Sequence, residues 1–127
     1  MKSKKRLSVD ENLIVEVTET NFEKEVLMFK GPVLLIFGGL WSKPCQQIKD
    51  SLLKEILRTC EGKVKIGLVD VDCNPGLCIW YEVVSVPTFL GFIDGEVIER
   101  IVGISAKQDF LLNIKRHFLA VKNRINR

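Results

Sequence analysis

The residue order predicts an α/β domain in which a mixed sheet is covered by helices, and three observations carry that expectation. Short apolar runs of strand character alternate with segments of helical periodicity, so the strands they separate become parallel neighbours joined by crossovers. Residues 33–37 (VLLIF) form an unbroken apolar run behind Gly31-Pro32, the pattern of a strand buried on both faces. Asp94-Gly95 stands between two apolar segments and signals a hairpin, so the final strand pair is antiparallel.

Taken in order, residues 13–17 (LIVEV) read as a first strand. Thr20-Asn21-Phe22-Glu23 has capping-box spacing and starts a helix that runs to about Phe29, where Lys30-Gly31-Pro32 stops it. After the central apolar strand, a second helix is expected over residues 44–60. Pro44 suits its first position, and Ile48, Leu52 and Ile56, with Leu53 and Leu57, recur along one face. Residues 63–71 form a strand in which Val64, Ile66 and Leu68 alternate. Asn74-Pro75 offers an N-cap and a first-turn proline for a short helix ending near Tyr81. Residues 88–93 and 97–102 flank the Asp94-Gly95 turn, and Ser105 caps a last helix whose Phe110, Leu111, Ile114 and Phe118 mark one face.

The 127 residues are 46% hydrophobic and 28% charged, enough for the core of one ordinary domain and too balanced for disorder, collagen or a coiled coil. No apolar run approaches the roughly 20 residues of a membrane span. The opening MKSKKRL leads into Ser8-Val9-Asp10-Glu11 with no apolar stretch to suit a secretory signal, so a cytoplasmic protein is expected. The net charge of +3 is unevenly placed: Lys2, Lys4, Lys5, Arg6, Lys122, Arg124 and Arg127 lie in two tails that hold no acid. We therefore partition the chain into a basic tail (1–9), one domain (10–120) and a second basic tail (121–127). Between the tails acids outnumber bases, the opposite of a nucleic-acid-binding face.

The motifs in their order carry a resemblance. Residues 33–37 run into Trp41-Ser42-Lys43-Pro44-Cys45. Val69-Asp70-Val71-Asp72 with Asn74-Pro75-Gly76, then Val86-Pro87-Thr88-Phe89, Asp94-Gly95-Glu96-Val97 and Val102-Gly103 follow. Over about residues 10–120 the chain resembles the thioredoxin family. The resemblance implies the thioredoxin fold, a five-stranded mixed sheet of order 1-3-2-4-5 flanked by four helices, with the family's cis-proline at Pro87. It also implies a groove lined by Leu40, Trp41, Pro44, Val86, Pro87, Gly103 and Ile104, where an extended polypeptide pairs with backbone beside the proline.

The family's reaction uses Trp-Cys-Gly-Pro-Cys: a thiolate at a helix N-terminus attacks a disulfide, and the second cysteine resolves the mixed disulfide. Ser42 stands at the attacking position. A serine hydroxyl has no ionised form near neutral pH without a dedicated base, so two-thiol exchange is not expected and Cys45 remains as the only candidate catalytic thiol. The family's buried acid and lysine correspond to Ile36 and Leu68, both apolar here. The expected function is thus a polypeptide-binding module on the former active-site face. The alternatives are a one-thiol redox protein forming a mixed disulfide at Cys45 with glutathione or a protein, and a site in which Ser42 hydrogen-bonds a glutathione thiolate.

The other cysteines divide by position. Cys60 lies about 22 Å along the helix from Cys45, beyond bridging distance, and reads as a buried helix-end thiol. Cys73 and Cys78 take the N′ and N4 positions of the short helix, which suit either an apolar staple or a disulfide. Two thiols without a second ligand pair fall short of a zinc site, and the single histidine, His117, sits on the last helix. No metal or cofactor is expected, nor a nucleic-acid or membrane partner, and a monomer is.

Overall fold

The computed structural model of the chain describes residues 14–39, 53–60, 63–103 and 116. Along them run β1 (Ile14–Glu16), α1 (Glu23–Leu27), β2 (Pro32–Gly38), α2 (Leu53–Thr59), β3 (Lys65–Asp70), α3 (Pro75–Trp80), β4 (Thr88–Ile93) and β5 (Glu96–Val102). The strands form one sheet in the order β1-β3-β2-β4-β5. β3 is parallel to both β1 and β2, while β4 is antiparallel to both β2 and β5. This is the mixed sheet and strand order that the resemblance implies. The expected first part of the second helix and both tails lie outside the described residues, as does the last helix apart from helical Arg116.

β2 occupies the middle of the sheet because its side chains are apolar on both faces. Leu34 and Ile36 join Phe89, Ile93, Val64 and Ile66 in a core covered by Leu53, Ile56 and Leu57 of α2, with Cys60 buried beside them. Val33, Leu35 and Phe37 point the other way, into a core with Phe22 and Val26, Leu77 of α3, Leu90 and Phe92. Phe22, Tyr81 and Phe92 meet edge to face with centroids 5.6–6.2 Å apart, the geometry aromatic quadrupoles favour.

Three elements depart from the expectations, each for a local reason. The capping box lies at Thr18 and Asn21, not Thr20 and Glu23: the Thr18 amide donates to Asn21 Oδ1 (2.8 Å) and the Asn21 amide to Thr18 Oγ1 (3.3 Å). The following segment winds as a π-helix, with the Met28 amide on the Glu23 carbonyl (2.8 Å), and stops at Leu27 instead of reaching Phe29. The Glu25 carbonyl, which an α-helix would offer to residue 29, accepts from Lys65 Nζ at 2.8 Å.

On β3 the positions between Val64, Ile66 and Leu68 are not solvated. Lys65, Gly67 and Val69 are buried too. Gly67 is needed for this, since a Cβ there would sit 2.7 Å from Val17 Cγ2 and 2.8 Å from Leu35 Cδ1. At α3, Asn74 flanks the helix as expected but its side chain caps nothing. It donates to the Asp70 carbonyl (2.9 Å) and accepts the Glu19 amide (3.0 Å). Glu19 supplies the cap instead, its carboxylate accepting the Gly76 amide.

Candidate functional site

The sheet brings the ends of β2 and β3 and the start of β4 to one edge of the molecule. The Val71 amide donates to the Gly38 carbonyl at 3.0 Å, closing β2 against the turn that follows β3. Beside them the Val86–Pro87 peptide bond is cis. Pro87 is buried, whereas Val86 before it is 39% exposed. Two contacts fix this corner: Thr88 Oγ1 donates to the Ser85 carbonyl (2.7 Å), and the Gly103 amide donates to the Pro87 carbonyl (2.8 Å). Gly103 has φ +78°, a left-handed conformation that suits glycine, and among the described residues nothing lies within 4 Å of where its Cβ would be. Of the site residues expected from the sequence, Val86, Pro87 and Gly103 therefore come together. Leu40, Trp41, Ser42, Pro44, Cys45 and Ile104 lie outside the described residues.

Behind the corner, Ile36 is the register partner of Leu68 on β3 and of Phe89 on β4, and is 4% exposed. The two positions where the resemblance would put an acid and a lysine are adjacent and apolar, Ile36 within a hydrophobic core and Leu68 half-buried against it. Among the described residues, a partly buried ion pair lies elsewhere on this sheet. Lys65 Nζ, at the start of β3, bonds Glu25 Oε1 at 2.6 Å and stands 4.5 Å above the Phe29 ring. That hydrogen bond holds the Glu25 carboxyl below its ordinary value, against the opposing effect of desolvation.

Cys73 and Cys78 are both free thiols. Cys73 is exposed, and its Sγ lies 3.7 Å from Asp70 Oδ2. The Asp70 charge pushes this thiol above its ordinary value, with Asp72 and Glu16 adding to the effect. Cys78 packs against the core of Phe22 and Phe92, and burial raises its value as well. Both shifts lower the thiolate fraction at neutral pH. An exposed Cys73 is not one arm of an apolar staple, so of the two readings of this pair the packing one fails at residue 73. Among the described residues, no cluster of three or more His, Cys, Asp or Glu could hold a metal ion, and no helix is long and apolar enough to cross a membrane.

Sequence reasoning missed what α3 exposes. Ile79 and Trp80 are each 78% exposed and Val84 is 93% exposed. The absence of any charge between Asp72 and Glu82 was the available signal. It also missed Arg100, whose guanidinium donates to the Tyr81 carbonyl at the C-terminal end of α3.

A thioredoxin family profile matches residues 13–116. The chain is 36% identical to a thioredoxin of Staphylococcus saprophyticus over 104 residues, which is 82% of this chain and 97% of that protein. Thioredoxins of Staphylococcus haemolyticus (35%) and of Staphylococcus aureus strain Mu50 (36%) are similar over the same shares of each chain.

Proposed function

This chain belongs to the thioredoxin family, and we propose that within it the chain binds a polypeptide partner at the Trp41/Pro87 face without running two-thiol exchange. The observation that carries this reading is the Ile36–Leu68 register pair. Exchange by the family's route needs a thiolate at position 42 and a proton acceptor beneath the second thiol. Position 42 is serine, and position 36 places a hydrocarbon side chain in a buried apolar core. Losing one member of a buried charge pair costs about 3 to 5 kcal/mol, whereas replacing both by apolar groups is often neutral. Both positions being apolar fits a core that has settled into a state without this proton relay. What remains is an exposed Val86 next to Pro87 and a Pro87 carbonyl held by Gly103, a firm edge against which an extended chain could align.

Reduction of insulin by dithiothreitol tests the catalytic half of this reading. No acceleration above background is expected, and turnover that vanishes in Cys45→Ser would sink it. Capture of partners from native lysate tests the binding half, with Trp41→Ala and Val86→Asp expected to lose what the unmodified chain retains.

The relatives' name, thioredoxin, favours a second reading, a redox function, which with serine at position 42 would run in the cytoplasm through one thiol. Cys45 as thiolate would attack oxidised glutathione, form the mixed disulfide and release one glutathione thiolate. Intact mass after incubation with oxidised glutathione would then show one adduct, mapping to Cys45, and its absence at neutral pH would exclude this reading.

A further inference from the structure

Between Ile66 and Glu99 the chain carries six acids, Asp70, Asp72, Glu82, Asp94, Glu96 and Glu99, and no lysine, arginine or histidine. α3 lies in this stretch and has no charged residue of its own. Its inner side and the loop after it already supply the core, through Leu77, Cys78, Tyr81 and Val83. The other side is apolar as well: Ile79, Trp80, Val84 and Val86 all face water. The Val83 amide donates to the Cys78 carbonyl at 2.8 Å, which folds the loop back on the helix and sets Val84 beside the turn carrying Ile79. A short segment apolar on both sides is one whose second side ordinarily meets a partner.

The surroundings of this ridge identify the partner's charge. Asp70 and Asp72 lead into α3, the Glu19 carboxylate sits on the Gly76 amide at its first turn, and Glu82 follows its last. Among the described residues Arg100 also stands at this end of α3, its guanidinium donating to the Tyr81 carbonyl. We propose that the α3 ridge, from Ile79 to Val86, receives a polypeptide segment bearing both basic and apolar side chains. Its acids attract and orient the segment, while Trp80, Ile79 and Val84 bury its apolar side chains. A nucleic acid or an anionic lipid surface would be repelled by the same charges. The proposal shares with the proposed function the premise that the chain binds polypeptide, and extends the contact beyond Pro87 through Val86.

The test is fluorescence polarisation of a labelled peptide of alternating lysine and leucine, titrated with the full chain, and with a glutamate–leucine peptide as competitor. Trp80→Ser and Glu82→Lys are each expected to weaken binding about ten-fold, with binding falling as salt rises and the acidic peptide failing to compete. Both positions are exposed, so the fold tolerates the changes, and circular dichroism of the variants checks this. Unaltered binding by both variants overturns the proposal, as does equal competition by the acidic peptide. Concentration-dependent self-association that Trp80→Ser abolishes also overturns it, because the ridge would then be covered by a second copy. Trp41→Ala separates the two readings: loss there alone leaves the Pro87 face and removes the ridge, and loss in the ridge variants alone does the reverse.

Discussion

Lys65 and Glu25 show how one buried charge is tolerated in an apolar sheet. The lysine side chain is 8% exposed and the glutamate side chain 24% exposed, so the two partners do not depend on each other equally. Glu25→Gln leaves a buried ammonium with a carbonyl and an aromatic ring, and is expected to cost about 2 kcal/mol. Lys65→Met leaves a carboxylate that reaches water, and is expected to cost less; urea midpoints of the two variants decide the order. The pH dependence follows from the same bond. Because the folded carboxyl titrates below its ordinary value near 4.5, its contribution is present above that pH and is lost as pH falls through the depressed value. Lys65→Met should flatten this part of the acid limb when stability is measured from neutral pH down to about 3. Cys73 gives the second prediction at this scale. Asp70→Asn removes the nearest opposing charge, so alkylation of Cys73 by iodoacetamide at neutral pH should quicken a few-fold, and an unchanged rate would refute the electrostatic cause. Neither pairing was legible in the sequence. Lys65 sits among alternating apolar residues and reads as the solvated side of a strand, and its partner lies 40 residues away.

α3 is held by an exchange of groups between distant segments. Asn74 gives its side-chain oxygen to the Glu19 amide, and Glu19 gives its carboxylate to the Gly76 amide. Glu19→Ala is expected to cost about 1 kcal/mol as a lost cap. Asn74→Ala, which removes the Asn74 bonds to the Asp70 carbonyl and the Glu19 amide while the Cys73 amide still donates to that carbonyl, should cost about 1 kcal/mol. Since the bonds support one another, the double variant should cost less than the sum by about 0.5 kcal/mol or more in urea melts. Strands and the hairpin were readable because their signals are local. The run from Val33 to Phe37 is apolar at every position, and Asp94 and Gly95 both adopt the positive φ that an Asp-Gly hairpin turn requires. The reciprocal bonds before α1 fall on Thr18 and Asn21 because several adjacent residues there can cap, and Asn74 holds the expected N-cap position of α3 while its side chain is drawn to Glu19 and Asp70.

For the whole molecule, the two faces of the sheet carry different work. The α2 face holds Ile36, Leu68 and Phe89 in an apolar layer directly behind the Pro87 corner. Ile36→Asp should therefore destabilise the chain by about 3 kcal/mol at neutral pH, and adding Leu68→Lys should recover part of that loss. Recovery in the double variant, read from denaturation midpoints, would show that the two positions form one charge-pair site now filled with hydrocarbon. The strand order, the Pro87 corner and the apolar nature of residues 36 and 68 could all be read from motif order and residue type. The α3 ridge could not, because an apolar residue in a sequence does not declare whether it faces a core or a partner.

The exchange between Glu19 and Asn74 joins two stretches 55 residues apart in the chain. The two bonds tie the loop after β1 to the first turn of α3, so opening of one segment is expected to loosen the other. Under native conditions the Glu19 and Gly76 amides should exchange with deuterium at a common opening free energy, and a single substitution at Asn74 should accelerate both.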